Sequence, residues 1–185
     1  VTSRLALRPF TEVDRGPFFA LNTHPLVVES LGSSPTRAES DAMISRYGEE
    51  LVREGWGLWA VETRTGGDGF VGMVGLHRVN GALPCAPAVE LAWRLHPDHW
   101  GHGYASEAAT ASLDFAFGEA GLDEVVAFTT TLNTRSQAVM VRIGMTHDAD
   151  GDFDHPALPE GSPLRRHVLY RISAPSSQVA PSVPS

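Results

Sequence analysis

Cysteine is nearly missing from this chain: Cys85 is the single one in 185 residues. No intrachain disulfide is possible, no Cys-x-x-Cys pair offers a zinc ribbon, and a reducing compartment fits. An apolar leader is missing too, since Arg4, Arg8, Asp14 and Arg15 interrupt the first twenty residues and leave no signal-peptide core. No stretch reaches the roughly 18 apolar residues of a membrane span. Nor is there a surplus of positive charge. Lys+Arg 14 against Asp+Glu 22 gives a formal net charge of -8, which disfavours nucleic acid as a partner and is compatible with a cationic amine or peptide. The expected location is therefore cytoplasmic, with neither membrane nor nucleic acid engaged. A Gly-x4-Gly-Lys-[Ser/Thr] phosphate loop is also absent, which excludes the Walker-type nucleotide enzymes.

With 42% hydrophobic and 19% charged residues, the chain reads as one packed α/β domain. Leu5 and Leu7 before Pro9 predict a short strand, and Thr11 with Asp14 a capped helix start. Ala42, Met43, Tyr47 and Leu51 recur at helical spacing, so a second helix is expected from Thr36 to Glu54, stopped by Gly55. Strands follow at 57–62 and 70–79 around turn-forming residues. A third is expected at 88–95, where Val89, Leu91, Trp93 and Leu95 alternate with Ala88, Glu90, Ala92 and Arg94. Helix 103–119, strand 125–131, helix 133–143 ended by Gly144, and strand 166–172 complete the order. The domain is placed at residues 1–172, with a Ser/Pro-rich disordered tail at 173–185.

The segment Trp100-Gly-His-Gly-Tyr-Ala-Ser-Glu-Ala puts two glycines between a strand and the first turn of a helix. First-turn amides have no intrahelical acceptor, and with the positive end of the helix dipole they suit an anion such as pyrophosphate. A tight turn in which glycine serves geometry alone accounts for the spacing equally well. A dinucleotide-binding reading is disfavoured, because Asp123 and Glu124 precede a strand instead of ending one. His96, His99 and His102 recur at three-residue intervals, but Pro97 and Gly101 make that stretch a loop, so no metal is expected.

Four segments run in order through nearly the whole chain: Arg4-Leu-Ala-Leu-Arg-Pro-Phe with Asp14, Gly72-Met-Val-Gly-Leu, the Trp100 to Ala108 motif after its strand, and Asn133-Thr-Arg-Ser with Ile143-Gly-Met. Together they resemble the GNAT N-acetyltransferases, and within them the RimJ/RimL-type branch that acetylates ribosomal-protein N termini. The resemblance implies an α/β fold with a mixed, splayed central sheet of about six or seven strands and helices on both faces. It implies acetyl-CoA as co-substrate, no metal, and an acceptor that is a small amine or a peptide N terminus. In such a fold, pantetheine runs between strands 88–95 and 125–131. Backbone groups near Trp93 and Leu95 bond it, Gly101, His102, Gly103, Tyr104, Ala105 and Ser106 hold the pyrophosphate, and Asn133 fixes the cofactor arm.

Two positions depart from the pattern. Trp100 replaces the Gln or Arg that opens the glycine motif, and Met140 stands where many relatives carry a proton-donating tyrosine. Methionine donates no proton, which leaves Ser136, one helical turn earlier, or bulk water to protonate the thiolate.

Acetyl transfer needs a neutral amine, and an alkyl amine has a pKa near 10. Glu90, an acid among apolar neighbours, is the first candidate for the base, its alternative being a surface carboxylate paired with arginine. A backbone amide near Trp93 or Arg94 would stabilise the oxyanion. Asp154 and His155 are expected to border the acceptor pocket, His155 being either a second base or a turn histidine. Trp56 and Trp59 either wall that pocket or belong to the core. A catalytically silent acyl-CoA-binding module and an NAD-binding enzyme are the rival readings, and a homodimer stays open.

Overall fold

Leu5 and Leu7 form the strand β1 (Leu5–Arg8), and Pro9, with no N–H to give, stands just past its end. A computed structural model describes residues 1–65 and 69–175 of the chain. After β1 come a 3-10 turn (Glu12–Asp14), α1 (Arg15–Thr23), α2 (Pro25–Leu31) and α3 (Arg37–Glu54). The sequence pointed to two helices here; α2 is an extra one, only seven residues long and too short to show a full apolar period. Thr36 caps α3 in a capping box with Glu39, as the Thr-x-x-Glu spacing requires.

The remaining elements are β2 (Leu58–Thr63), β3 (Phe70–Val79), β4 (Ala88–Leu95), α4 (Tyr104–Phe117), β5 (Glu124–Thr130), α5 (Thr134–Arg142), β6 (Thr146–His147), β7 (Phe153–Asp154) and β8 (Arg166–Ser173). They build an eight-stranded sheet in the order β1-β2-β3-β4-β5-β8-β6, with β7 also on β8. The expected strand number was about six or seven; β6 and β7 raise it, and two residues each leave no alternation to detect. Ser173, where the tail was expected to start, ends β8. Ala174 N–H still bonds Asp123 O at 2.8 Å, and most of the expected tail, 176–185, lies outside the described residues.

Period-two alternation sends side chains of β4 to two different layers. Leu91 and Leu95 join Ala108, Ala109, Leu113 and Ala116 of α4 in one core. Ala92 faces the other layer, where Phe18, Leu21, Val27, Ile44 and Tyr47 of the first three helices pack on Leu58 and Met73. The alanines of α4 let it lie close on the sheet. Gly72 serves a similar end: a Cβ there would stand 2.2 Å from Arg94 O, so only glycine lets β4 run where it does.

Asp14 locks the entry into the helical layer. It is 1% exposed and accepts from Arg8 Nη1 at 2.7 Å, Arg8 Nη2 at 2.8 Å, Thr11 N–H at 2.7 Å and Thr11 Oγ at 2.9 Å. Burial alone would raise its carboxyl pKa, but the Arg8 fork and the Thr11 donors outweigh burial and hold it below the usual carboxylate range. Its contribution to stability is therefore present above the unfolded carboxylate pKa and is lost as pH falls through the folded one. Asp14→Ala is expected to cost about 3 kcal/mol, because it removes a buried carboxylate that holds both Nη groups of Arg8 and two Thr11 donors, leaving Arg8 only Glu62, at 2.8 Å, as a carboxylate partner. Urea denaturation at pH 7 checks this; a loss under about 1 kcal/mol would mean that Glu62 suffices to hold Arg8.

Candidate active site

The site is a gap between two strands. β3 and β4 pair at every position from Gly72↔Leu95 to Val79↔Ala88, whereas parallel β4 and β5 share the single paired position Glu90↔Val126. Beyond it the strands part. Opposed residues of an antiparallel ladder alternate between bonded and non-bonded pairs. His96 N–H bonds Val71 O at 2.9 Å, so in the same phase Arg94, Ala92 and Glu90 turn their backbone groups toward β3. The main chain of Trp93 then points into the gap, which separates it from Arg94 as an oxyanion donor. Leu95 O also faces away from β3, but the Trp100 indole N–H occupies it at 2.8 Å. The tryptophan in place of Gln or Arg thus closes the end of β4, and Arg135 of α5 stacks on it at 4.7 Å.

At the mouth of the gap α4 begins at Gly103, and both Gly101 (φ 81°) and Gly103 (φ 77°) are left-handed. Among the described residues, no protein group accepts from the amides of Gly101, His102, Gly103, Tyr104, Ala105 or Ser106; the first bonded amide is Glu107, to Gly103 O. Such a run of unused donors at a helix start fits a diphosphate. Arg4 braces the loop by donating to His102 O at 2.9 Å and pairing with Glu107 at 2.6 Å. The His102 and Tyr104 rings stack at 5.6 Å. A groove of about 500 Å³ continues between α4 and α5, lined by Ser106, Thr110, Ala111, Arg142 and Ile143 among others. Arg142, which sequence reasoning passed over, reaches Ser106 Oγ there at 3.2 Å and puts a positive charge beside the cradle.

Asn133 caps α5, its Oδ1 accepting from Ser136 N–H at 3.1 Å. This leaves its NH₂ without a protein acceptor among the described residues. Met140, one turn past Ser136, is 1% exposed and packs with Ala127, Met145, Val168 and Tyr170. The missing tyrosine is thus replaced by core, and Ser136 is the hydroxyl left on that stripe of α5.

Glu90 lies on the opposite face of β4 from α4. Among the described residues no hydrogen bond reaches its carboxylate and no cation approaches within 4.0 Å. Burial pushes its carboxyl up to about 7, with Arg94 pulling weakly the other way. The alternative of an arginine-paired surface acid is therefore not what the structure contains. Opposite Glu90 on β3 is His77, whose Nδ1 is 3.4 Å from Glu50 of α3.

Across the gap, Val126, Phe153 and Leu169 share a core with Phe128 and Ala88, on the sheet face that carries Glu90. The His155 ring packs 5.0 Å from His167 and 6.3 Å from Phe153, and burial lowers its pKa. The loop after it meets the helical layer, where Leu164 and Leu158 abut Gly32 at the end of α2. Asp154 is drawn off to Arg165 and Arg166, at 3.5 and 3.6 Å. Trp56 and Trp59 are not brought to this cleft. Trp56, in the loop before β2, is 7% exposed in the core on the α4 side, and Trp59, sent to that face by strand alternation, packs edge-on against Phe115 of α4 at 5.5 Å. Cys85 is half-buried, and burial raises its thiol pKa, which keeps it a poor nucleophile.

Unclaimed amides at the mouth of a strand gap, with a desolvated carboxyl on the sheet beside it, fit the requirements of a CoA-dependent acyltransferase. Residues 4–146 match the model of the acetyltransferase (GNAT) domain, and the chain belongs to that family. It is an N-acetyltransferase. The chain is 47% identical over 94 residues to FsC-acetyl coenzyme A-N(2)-transacetylase of Aspergillus fumigatus, a match covering 47% of this chain and only 40% of that protein. It is 27% identical over 177 residues to the uncharacterized N-acetyltransferase YoaA of Bacillus subtilis, covering 94% of this chain and 96% of YoaA. The acetyltransferase of Agrobacterium tumefaciens superposes with a TM-score of 0.72 at 29% identity, covering 93% and 92% of the two chains. The RimL ribosomal L7/L12 α-N-protein acetyltransferase shares the fold, with a TM-score of 0.75 at 17% identity over 94% of this chain and 96% of RimL. Among the described residues, no helix is long and apolar enough to cross a membrane, and no cluster of three or more His, Cys, Asp or Glu is arranged to hold a metal ion.

Proposed function

We propose that the chain moves an acetyl group from acetyl-CoA to a primary amine by direct attack, with both substrates bound at once in a single domain spanning residues 1–172. The observation that carries this is the β4–β5 gap, reduced to one paired position and flanked by unclaimed amides on one side and a partnerless Glu90 on the other. Gly101 to Ser106 receive the pyrophosphate, Asn133 NH₂ and Arg142 steady the rest of the CoA, and Trp93 N–H faces the thioester oxygen. Glu90 takes the proton of the incoming amine, directly or through one water. As the N–C bond forms and the C–S bond breaks, CoA leaves as a thiolate that Ser136 or water stabilises by hydrogen bonding and that the second amine proton, passed through solvent, neutralises; a thiol pKa near 8.5 makes this leaving group tolerable without a strong acid. The acceptor is a small amine or a peptide N terminus, and Glu90, Phe128 and His155 line its cleft.

Thiol release from acetyl-CoA with a panel of amines, together with the mass of the N-acetyl product, tests this reading. One thiol released per acetylated amine is the expected result. Acetyl-CoA binding without release for any amine would leave a silent binding module. Stronger thermal stabilisation by NAD than by acetyl-CoA would move the chain to another class.

A further inference from the structure

The proposed mechanism leaves one charged group on the Glu90 face of β4 unused. Arg94 lies four residues beyond Glu90 on the same face of β4, with Ala92 between them. Every other arginine among the described residues either pairs with a carboxylate or is exposed. Arg94 is half-buried with no carboxylate within 4.0 Å. Its only protein partner there is Asn22 of α1, whose Oδ1 accepts from Nη1. Asn22 is itself fully buried and fixed, since its Nδ2 donates to Phe18 O at 2.8 Å. The guanidinium is thus tethered to α1 through Nη1, and its Nε and Nη2 edge has no protein acceptor among the described residues.

That free edge is the fork that grips a carboxylate through two parallel hydrogen bonds. We propose that Arg94 binds the carboxylate of an amino-acid acceptor whose amine lies against Glu90. This deepens the proposed function and rests on acetyl transfer at the β4–β5 gap. An acid and a fixed guanidinium on one strand face match a zwitterion. A polyamine would set a cation against Arg94, and a phosphate ester would bring more charge than one guanidinium edge balances. Tyr47, also in this layer, keeps its proton because burial raises its pKa, so it adds no competing anion.

The test measures thiol release with the twenty amino acids, each alongside its carboxamide and its decarboxylated amine, and with spermidine and phosphoethanolamine. The wild type, Arg94→Gln and Arg94→Lys are compared. The expected result is at least one acid preferred over its carboxamide by roughly 100-fold in kcat/KM, through KM. Arg94→Gln should lower the rate with that acid about as much and with its carboxamide far less. Arg94→Lys should recover part of the loss, and CoA affinity should stay within about twofold. A wild-type enzyme that prefers carboxamides, plain amines, spermidine or phosphoethanolamine overturns the assignment. So does Arg94→Gln slowing acid and carboxamide equally, which would make Arg94 a strut between α1 and β4. Release without carboxylate preference counts against Arg94 alone, whereas no release from any amine overturns acetyl transfer itself and this reading with it.

Discussion

Replacing Glu90 with glutamine is expected to lower kcat roughly 100-fold at pH 7 while leaving the Kd of CoA unchanged. The expectation follows from position and environment together. Glu90 sits at the single paired position of β4 and β5, at the edge of the gap. Its carboxyl is desolvated and unpaired, which pushes its pKa up to about 7 and suits it to accept a proton near neutrality. In the wild type, kcat/KM should rise as pH increases through about 7 and then level; Glu90→Gln should remove that limb. A mutant that keeps the limb, or wild-type turnover, would remove Glu90 from the role of base.

The same substitution should make the protein more stable in alkali. A carboxyl whose folded pKa lies above its unfolded value contributes stability that is complete below the unfolded pKa of 4.5 and lost as pH rises through about 7. Above that pH the folded chain carries a desolvated charge. Glutamine removes it, for a gain of at most about 3 kcal/mol at pH 8 and less where water reaches the side chain. Denaturant titrations of both proteins at pH 5 and pH 8 give the comparison, and the gain should appear only at the higher pH. A residue more stable when disarmed is the expected mark of a working base.

Gly103→Glu is expected to weaken CoA binding by roughly 100-fold or more, about 3 kcal/mol. Two effects add. Gly103 is the N-cap of α4 at φ 77°, a conformation that side chains other than glycine rarely adopt. The new carboxylate would also enter the cradle of unclaimed amides and compete there with the pyrophosphate. Gly103→Ala carries the backbone effect without the charge, so the difference between the two variants isolates the electrostatic part. Calorimetry with CoA supplies both numbers. Unchanged affinity in Gly103→Glu would mean that the diphosphate does not sit at the start of α4.

The run of unclaimed amides at the start of α4 was readable in the sequence because it is local. Gly101, Gly103 and the start of α4 lie within one short segment, and unused first-turn amides follow from chain geometry alone. The alternation of β4 likewise placed Glu90 on one face of a strand. Arg94 was in that same alternating set, so the second charged group on the face was visible, but nothing in the sequence showed that it would lack a carboxylate.

What the chain decided for itself was its class, its helical and strand periods, and the unclaimed amides at Gly101 to Ser106, all of which depend on neighbours a few residues apart. Only the folded structure decided that Trp56 and Trp59 face α4 and that Trp100 occupies Leu95 O. It also decided that Asn22 of α1 clamps Arg94 beside Glu90. These depend on which face of the sheet each helix covers and on residues brought together from distant parts of the chain, and desolvation, which sets the chemistry of Glu90 and Arg94, exists only once those layers close.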